Sequence, residues 1–213
     1  MNGRTVVTSL GAVAVAVLAF VIGVAVRPAL VQDPSAAPSL TVVEVGYLQD
    51  MLSHHQQAVT MSQLVDRDGL STPIRSLARQ IVQEQSIEIG TMVGYLQLAD
   101  EPIQSSTPMA WMHRDVDGSH HADTTAEHPM PGMASADEVA SLGTLVGVAA
   151  ENEFLRLMQR HHYGGIAMTQ DLLSYGSAGG PVVRLARSSL TMQTKETGLI
   201  GAMLLARGIS DGG

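Results

Sequence analysis

Two stretches decide the reading of this chain: MLSHHQQAVTM, from Met51 to Met61, and MQRHHYGGIAM, from Met158 to Met168. The methionines and the histidine pairs coincide at a constant separation of 107 residues, Met51 with Met158, His54 with His161, His55 with His162 and Met61 with Met168. Further on, Ala78-Arg79 recurs as Ala186-Arg187, Gln85 as Gln193, Glu88 as Glu196 and Gly90 as Gly198, now 108 residues apart. The second copy therefore carries one extra loop residue. Repetition at this distance means two similar supersecondary units packed against each other.

Each unit reads as a helical hairpin. Val45, Leu48, Met51, Leu52, Val59, Leu64 and Val65 fall at helical spacing. The run Asp66-Arg67-Asp68-Gly69 supplies a stop with a glycine cap, and Thr72-Pro73 an N-cap followed by proline in the first turn. The second helix then runs to about Ala99. The second copy repeats the plan, with a helix through about Tyr175, a turn over 176–180, and a helix from Pro181 to near Gly208. Ser135 and Glu138 form a capping box for a short lead-in helix. No stretch alternates with period two, so no sheet is expected. Two antiparallel hairpins make an all-α, four-helix bundle spanning residues 41–208.

At 100° per residue, Met51, His54, Ala58, Met61 and Val65 share one narrow face, with His55 at its border. Met158, His161, Gly165 and Met168 do the same in the second copy. On the partner helices Gln85, Glu88 and Met92 share a face, as do Met192, Gln193, Glu196 and Ile200. Folding the first hairpin about residues 69–70 sets His54 level with Gln85 and Met51 level with Glu88. Each hairpin thus gathers a Met, two His and a carboxylate, and the two sets are expected to face each other at mid-bundle. Met61 and Met168 sit two turns away, at a second site or in the core.

A methionine stripe is ordinarily core packing, and inward histidines can form a hydrogen-bonded polar layer with Gln and Glu. Burial of unpaired imidazoles is costly in either case. The segment 100–137 between the hairpins concentrates the same residue types: His113, His120, His121 and His128, with Met109, Met112, Met130 and Met133. Its four prolines argue against regular structure, and neighbouring bundle helices do not need so long a connection. His/Met tracts bind metal; a solvated acidic linker is the plainer alternative.

Ligand chemistry points to copper. Thioethers are soft and suit Cu(I), and imidazole suits both oxidation states, whereas zinc recruits Cys, His or carboxylate. The candidate ligands are Met51, His54, His55, Glu88, Met158, His161, His162 and Glu196, then Met61, Met168, His120, His121, His128, Met130 and Met133. No Glu-x-x-His, H-E-x-x-H, G-x-S-x-G or glycine-rich phosphate loop is present, so catalysis is not expected. The rival reading is a non-catalytic structural or interaction bundle; a ferritin-like redox enzyme is a third.

Composition sets the outer limits. The chain has 213 residues, 45% of them hydrophobic and only 3% aromatic, so its core is aliphatic with methionine as filler. The absence of cysteine excludes disulfides, thiolate metal sites and lipoprotein anchoring. A net charge of −8 leaves no basic footprint for nucleic acid. Residues 1–30 stand apart: Thr5 to Val26 carry no charge, enough to cross a bilayer as a helix, between Arg4 and Arg27-Pro28. This segment is read as an uncleaved membrane anchor, or else as a cleaved signal with a distant small-x-small site at residues 35–37. A Pro/Ala linker at 31–40 follows. In both cases the bundle is exported, on the extracytoplasmic side of the cell membrane or secreted. Self-association and a copper-handling protein partner stay open.

The pattern of Met51, His54, His55, Ala58 and Met61, followed on the next helix by Gln85, Glu88 and Ile89, resembles the family catalogued as domain of unknown function 305. The segment Met130-Pro131-Gly132-Met133 ahead of the second copy is similar to that family too. The resemblance covers roughly residues 42–207. It implies a ferritin-like four-helix bundle, secreted or periplasmic, with some members associated with copper binding and tolerance. The second copy departs from the pattern: Gly165 stands where the family has Ala, and Thr197 follows Glu196 where Ile is typical.

Overall fold

The computed structural model describes residues 16–22, 39–112, 130–175 and 180–209. The chain divides into two compact units, Met1–Pro38 and Ser39–Gly213. Of the first, residues 16–22 are helical. Most of the expected span from Thr5 to Val26 and most of the expected linker lie outside the described residues. Among the described residues no helix is long and apolar enough to cross a membrane.

Among the described residues five helices build the second unit: α1 (Val42–Val65), α2 (Thr72–Leu98), α3 (Ala136–Thr144), α4 (Gly147–Ser174) and α5 (Pro181–Leu205). Among the described residues there is no strand, in line with the all-α expectation. Helix α1 opens on a capping box in which Thr41 Oγ1 accepts the Glu44 N–H at 3.2 Å and Glu44 accepts the Thr41 N–H at 2.8 Å. Ser135 and Glu138 form the expected box at the start of α3. The chain leaves α1 through Gly69, whose φ of +90° suits glycine.

One boundary differs from the sequence reading. The N-cap of α2 is Ser71 rather than Thr72. The Ser71 N–H donates to Glu151 Oε1 on α4 at 2.6 Å. A carboxylate from another helix thus satisfies the helix start, which a local capping rule does not see.

Helix α1 packs on α2 and on α4, and α4 packs on α5. Tyr47 OH lies 3.2 Å from Thr169 Oγ1, and the His54 ring stacks on His161. These two pairings run α1 and α4 antiparallel. The core forms two apolar clusters: Ala58, Met61, Ile81, Phe154 and Met158 belong to one, and Tyr47, Met51, Met92, Trp111 and Met168 to the other. Along both α1 and α4 the histidine pair stands between residues of the two clusters.

At the second cluster, Trp111 pins the start of the inter-hairpin segment. Its Nε1–H donates to Asp50 Oδ2 at 2.8 Å, the Met109 N–H donates to the same oxygen at 2.7 Å, and Tyr175 OH donates to the Trp111 carbonyl at 2.7 Å. Gly46 makes room for the indole: a Cβ there would stand 2.6 Å from Trp111 Cδ1.

Candidate metal centre

His54, His55, His161 and His162 are all 0% exposed. Helical spacing turns all four inward, and the antiparallel crossing of α1 and α4 brings His54 and His161 face to face. Their ring centroids are 3.7 Å apart with the planes tilted by 36°. The two motif copies therefore meet at mid-bundle, as their repetition suggested.

Three of the four rings are held through Nε2. His54 Nε2 donates to the Pro131 carbonyl at 3.0 Å, a group that can only accept. His55 Nε2 contacts Glu88 Oε2 at 2.7 Å, and His162 Nε2 contacts Glu196 Oε2 at 2.6 Å. Neither nitrogen of His161 makes a well-formed hydrogen bond, only a weak approach to the His54 backbone. The Nδ1 atoms of His54, His55 and His162 are buried and equally unpartnered. Five imidazole nitrogens thus lie in the bundle interior without a well-formed hydrogen bond, where each unmet polar group carries a penalty of about 1–3 kcal/mol. Burial, then the neighbouring His55, lowers the pKa of His54 to about 3. Burial, then the adjoining His54, holds His161 well below the usual imidazole range. Both rings are neutral at pH 7, so Nδ1 of His54 offers a lone pair.

These nitrogens are available as donors. Orphaned neutral nitrogens are what a metal ligand presents before it binds, and a carboxylate on the far nitrogen is the usual orienting partner of a ligating histidine. Among the described residues no group of three or more His, Asp or Glu side chains is arranged to hold a metal ion. The motif methionines are the sulfur atoms nearest in sequence to these rings.

The methionines are arranged differently from the hairpin-by-hairpin grouping expected. Met51, Met61, Met158 and Met168 are all within 1% of full burial. Met51 shares a cluster with Met168, and Met61 with Met158. The antiparallel crossing places one methionine of each copy on either side of the histidines, where all four also serve as core. Met130 is buried and Met133 half-buried, on the segment that supplies Pro131. His120, His121 and His128 lie outside the described residues.

The carboxylates pair as expected in kind but with a different register. Glu88 meets His55, although His55 lies ten residues before the end of α1 and Glu88 sixteen residues after the start of α2. Side chains lean toward their own helix N-terminus. In an antiparallel pair His55 leans away from the turn and Glu88 leans toward it, which closes the offset. Levels taken at Cα had matched Glu88 with Met51.

Two partners were not apparent in the sequence. Pro131 acts through a backbone carbonyl, which leaves no side-chain signal. Glu84 places Oε2, and Glu196 places Oε1, in buried positions without a hydrogen-bond partner. Burial, then the Glu196 carboxylate, raises the Glu84 pKa, the direction that favours one proton between them. The repeat hid Glu84, because its counterpart in the second copy is Met192. The departure at Gly165 has a steric reason: a Cβ there would stand 2.3 Å from Gln193 Oε1, whose amide donates to Ser189 Oγ at 3.0 Å.

Known proteins share this arrangement of helices. A DUF305 protein of Streptomyces coelicolor, described as a presumed secreted protein, is 37% identical with a TM-score of 0.68, over 80% of this chain and 96% of that one. A DUF305 fragment from Deinococcus radiodurans is 34% identical with a TM-score of 0.63, over 78% of this chain and 98% of its own. CopM in its Cu(II)-bound form shares the fold at 20% identity and a TM-score of 0.57, over 76% and 96% of the two chains; Cu(I)- and Ag-bound forms of CopM also match. No curated protein matches the chain. Residues 44–204 match the profile described as "Domain of unknown function (DUF305)". The chain belongs to the DUF305 family.

Proposed function

We propose that this protein is an exported, membrane-anchored copper-binding bundle that sequesters or delivers the ion and performs no catalysis. The observation that carries the reading is the set of five unpartnered, buried imidazole nitrogens at the meeting point of the duplicated motif. His54 and His161 would be the central ligands, His55 and His162 the flanking ones, and Met51, Met61, Met158 and Met168 the source of thioether donors. Glu88 and Glu196 would orient His55 and His162 rather than bind directly. The Cu- and Ag-bound forms of CopM, a distant relative by sequence, support the choice of a soft ion. Export agrees with the Streptomyces relative, and the apolar stretch from Thr5 to Val26 would serve as the anchor, or as a signal if it is cleaved.

The structural alternative draws on the three Nε2 contacts, which partly satisfy a buried polar layer. Titration with Cu(I) under a competing chelator separates the two. Micromolar or tighter binding, lost when His54, His55, His161 and His162 are all replaced by alanine, supports the copper reading. Absent binding, or binding that survives the quadruple replacement, overturns it. Glu196→Gln removes the charge that orients His162, and its expected effect is a loss of about 10–100-fold in copper affinity, measured in the same titration.

A further inference from the structure

The paired rings of His54 and His161 are fully buried between α1 and α4. Opening those helices would pull apart both apolar clusters. Among the described residues a non-helical segment also reaches His54: the strap Met130–Ala134, whose Pro131 carbonyl caps His54 Nε2 at 3.0 Å.

The strap buries Met130 and Ala134 at its two ends, and its other fastenings are a few discrete contacts. Gln57 Nε2 donates to the Ala134 carbonyl at 2.8 Å, and Gln57 Oε1 accepts the Ala134 N–H at 2.7 Å. Arg160 Nη2 reaches the Met133 carbonyl at 3.4 Å. Gly132, at φ +76°, lies against the α4 backbone: a Cβ on Gly164 would stand 1.9 Å from the Pro131 oxygen and 2.8 Å from the Gly132 nitrogen. Gln57 and Gly164 are equivalent positions of the two motif copies, 107 residues apart. Each copy therefore grips the strap from the position two or three residues past its histidine pair, one by an amide clamp and one by a bare backbone. A five-residue segment fastened by these contacts and two small buried anchors opens at lower free energy than a packed helix of two dozen residues.

We infer that the Met130–Ala134 strap is the door of the histidine chamber: its release uncaps His54 Nε2 and opens the path by which a soft metal ion reaches the paired rings. The metal part of this inference rests on the proposed copper function; the door itself does not. Met130 and Met133, on either side of Pro131-Gly132, would travel with the door and carry thioethers to the entrance.

The test uses the full-length protein, metal-free, with two variants and a control. Gly164→Ala places a methyl group into the Pro131 carbonyl while improving helix propensity in α4. Gln57→Ala removes the amide clamp without adding bulk. Gly90→Ala makes the same chemical change on α2, where a Cβ meets nothing within 4 Å. Two rates are measured: carbethoxylation of individual histidines by diethylpyrocarbonate, mapped by mass spectrometry, and uptake of Ag(I), which is redox-inert, by quenched flow. Circular dichroism checks that the helices persist.

Both strap variants are expected to label His54 and His161, and to take up Ag(I), roughly tenfold faster or more, with Gly90→Ala unchanged. If Gly164→Ala unfolds, Gln57→Ala decides alone. Labelling at the wild-type rate in the folded variants overturns the door. Faster labelling in a protein that binds no Ag(I) upholds the door and counts against the copper reading. Unchanged labelling with normal Ag(I) binding overturns the door and leaves the copper reading standing.

Discussion

Lowering the pH from 7 to 5 is expected to destabilise the metal-free bundle by about 2 kcal/mol through His54, with His161 adding to the loss in the same direction. In the unfolded chain an imidazole takes up a proton below about pH 6.5. In the folded protein His54 resists protonation down to about pH 3, chiefly through burial. His161, without a well-formed hydrogen bond from its nitrogens, is pushed in the same direction. The unfolded state therefore binds more protons throughout this window, so stability falls as the pH falls. Each neutral buried histidine loses about 1.4 kcal/mol per pH unit below 6.5. Two carboxyls work the other way. Burial raises the pKa of Asp50 and of Glu84, the latter aided by Glu196, so each relieves a penalty as it protonates. Their effect is smaller, because Asp50 accepts two hydrogen bonds and Glu84 is half-exposed. The melting temperature is expected to drop by about 4–8 °C between pH 7 and pH 5 through His54, and further through His161, for a domain of this size. Thermal melts at pH 7, 6 and 5 in the presence of a chelator measure it. A flat profile would mean that the two rings are hydrated or paired in solution.

Much of the fold is legible from local chemistry. The glycine at 69, the box at Ser135 and Glu138, and the proline at 181 punctuate the helices where the structure has them. The duplicated motif also announces that two histidine pairs face each other, because equivalent helices of packed hairpins meet along equivalent faces. What escaped is whatever depends on how one hairpin lies across the other. Spacing places Met51 with His54 on one helix, but not Met51 with Met168 across the antiparallel pair. The register within the first hairpin was displaced for a different reason. A level drawn between Cα atoms neglects the lean of long side chains, and His55 and Glu88 reach each other by leaning in opposite senses relative to the turn. Backbone partners were beyond reach altogether. Nothing in the composition of Pro131-Gly132 says that its carbonyl caps a histidine, although the glycine at 164 is the trace that the close contact leaves in the sequence.

Replacing His161 by leucine is expected to stabilise the metal-free protein by about 1–3 kcal/mol while abolishing copper binding. In a structural layer a buried histidine holds its place through hydrogen bonds, and its removal destabilises. His161 makes no well-formed one, only a weak approach to the His54 backbone, although it is fully buried. Leucine is similar in volume, removes both orphaned nitrogens and offers the flanking Met158 and Met168 an apolar neighbour. Stability lost to an unmet polar group at the centre of a duplicated motif is the mark of a site kept for its ligand. The neighbouring positions give the contrast. His54→Leu leaves the Pro131 carbonyl without its donor, so its gain should be small or absent. His55→Leu leaves the buried Glu88 carboxylate unpaired and should destabilise by about 3–5 kcal/mol, because breaking a buried pair on one side exposes the full desolvation penalty of the other. Chemical denaturation of the three variants in chelator gives the order of stability, and Cu(I) titration gives the order of affinity. The two orders should oppose each other at position 161 alone. A destabilised His161→Leu that still binds copper would place the ion elsewhere and make the stacked histidines a packing element.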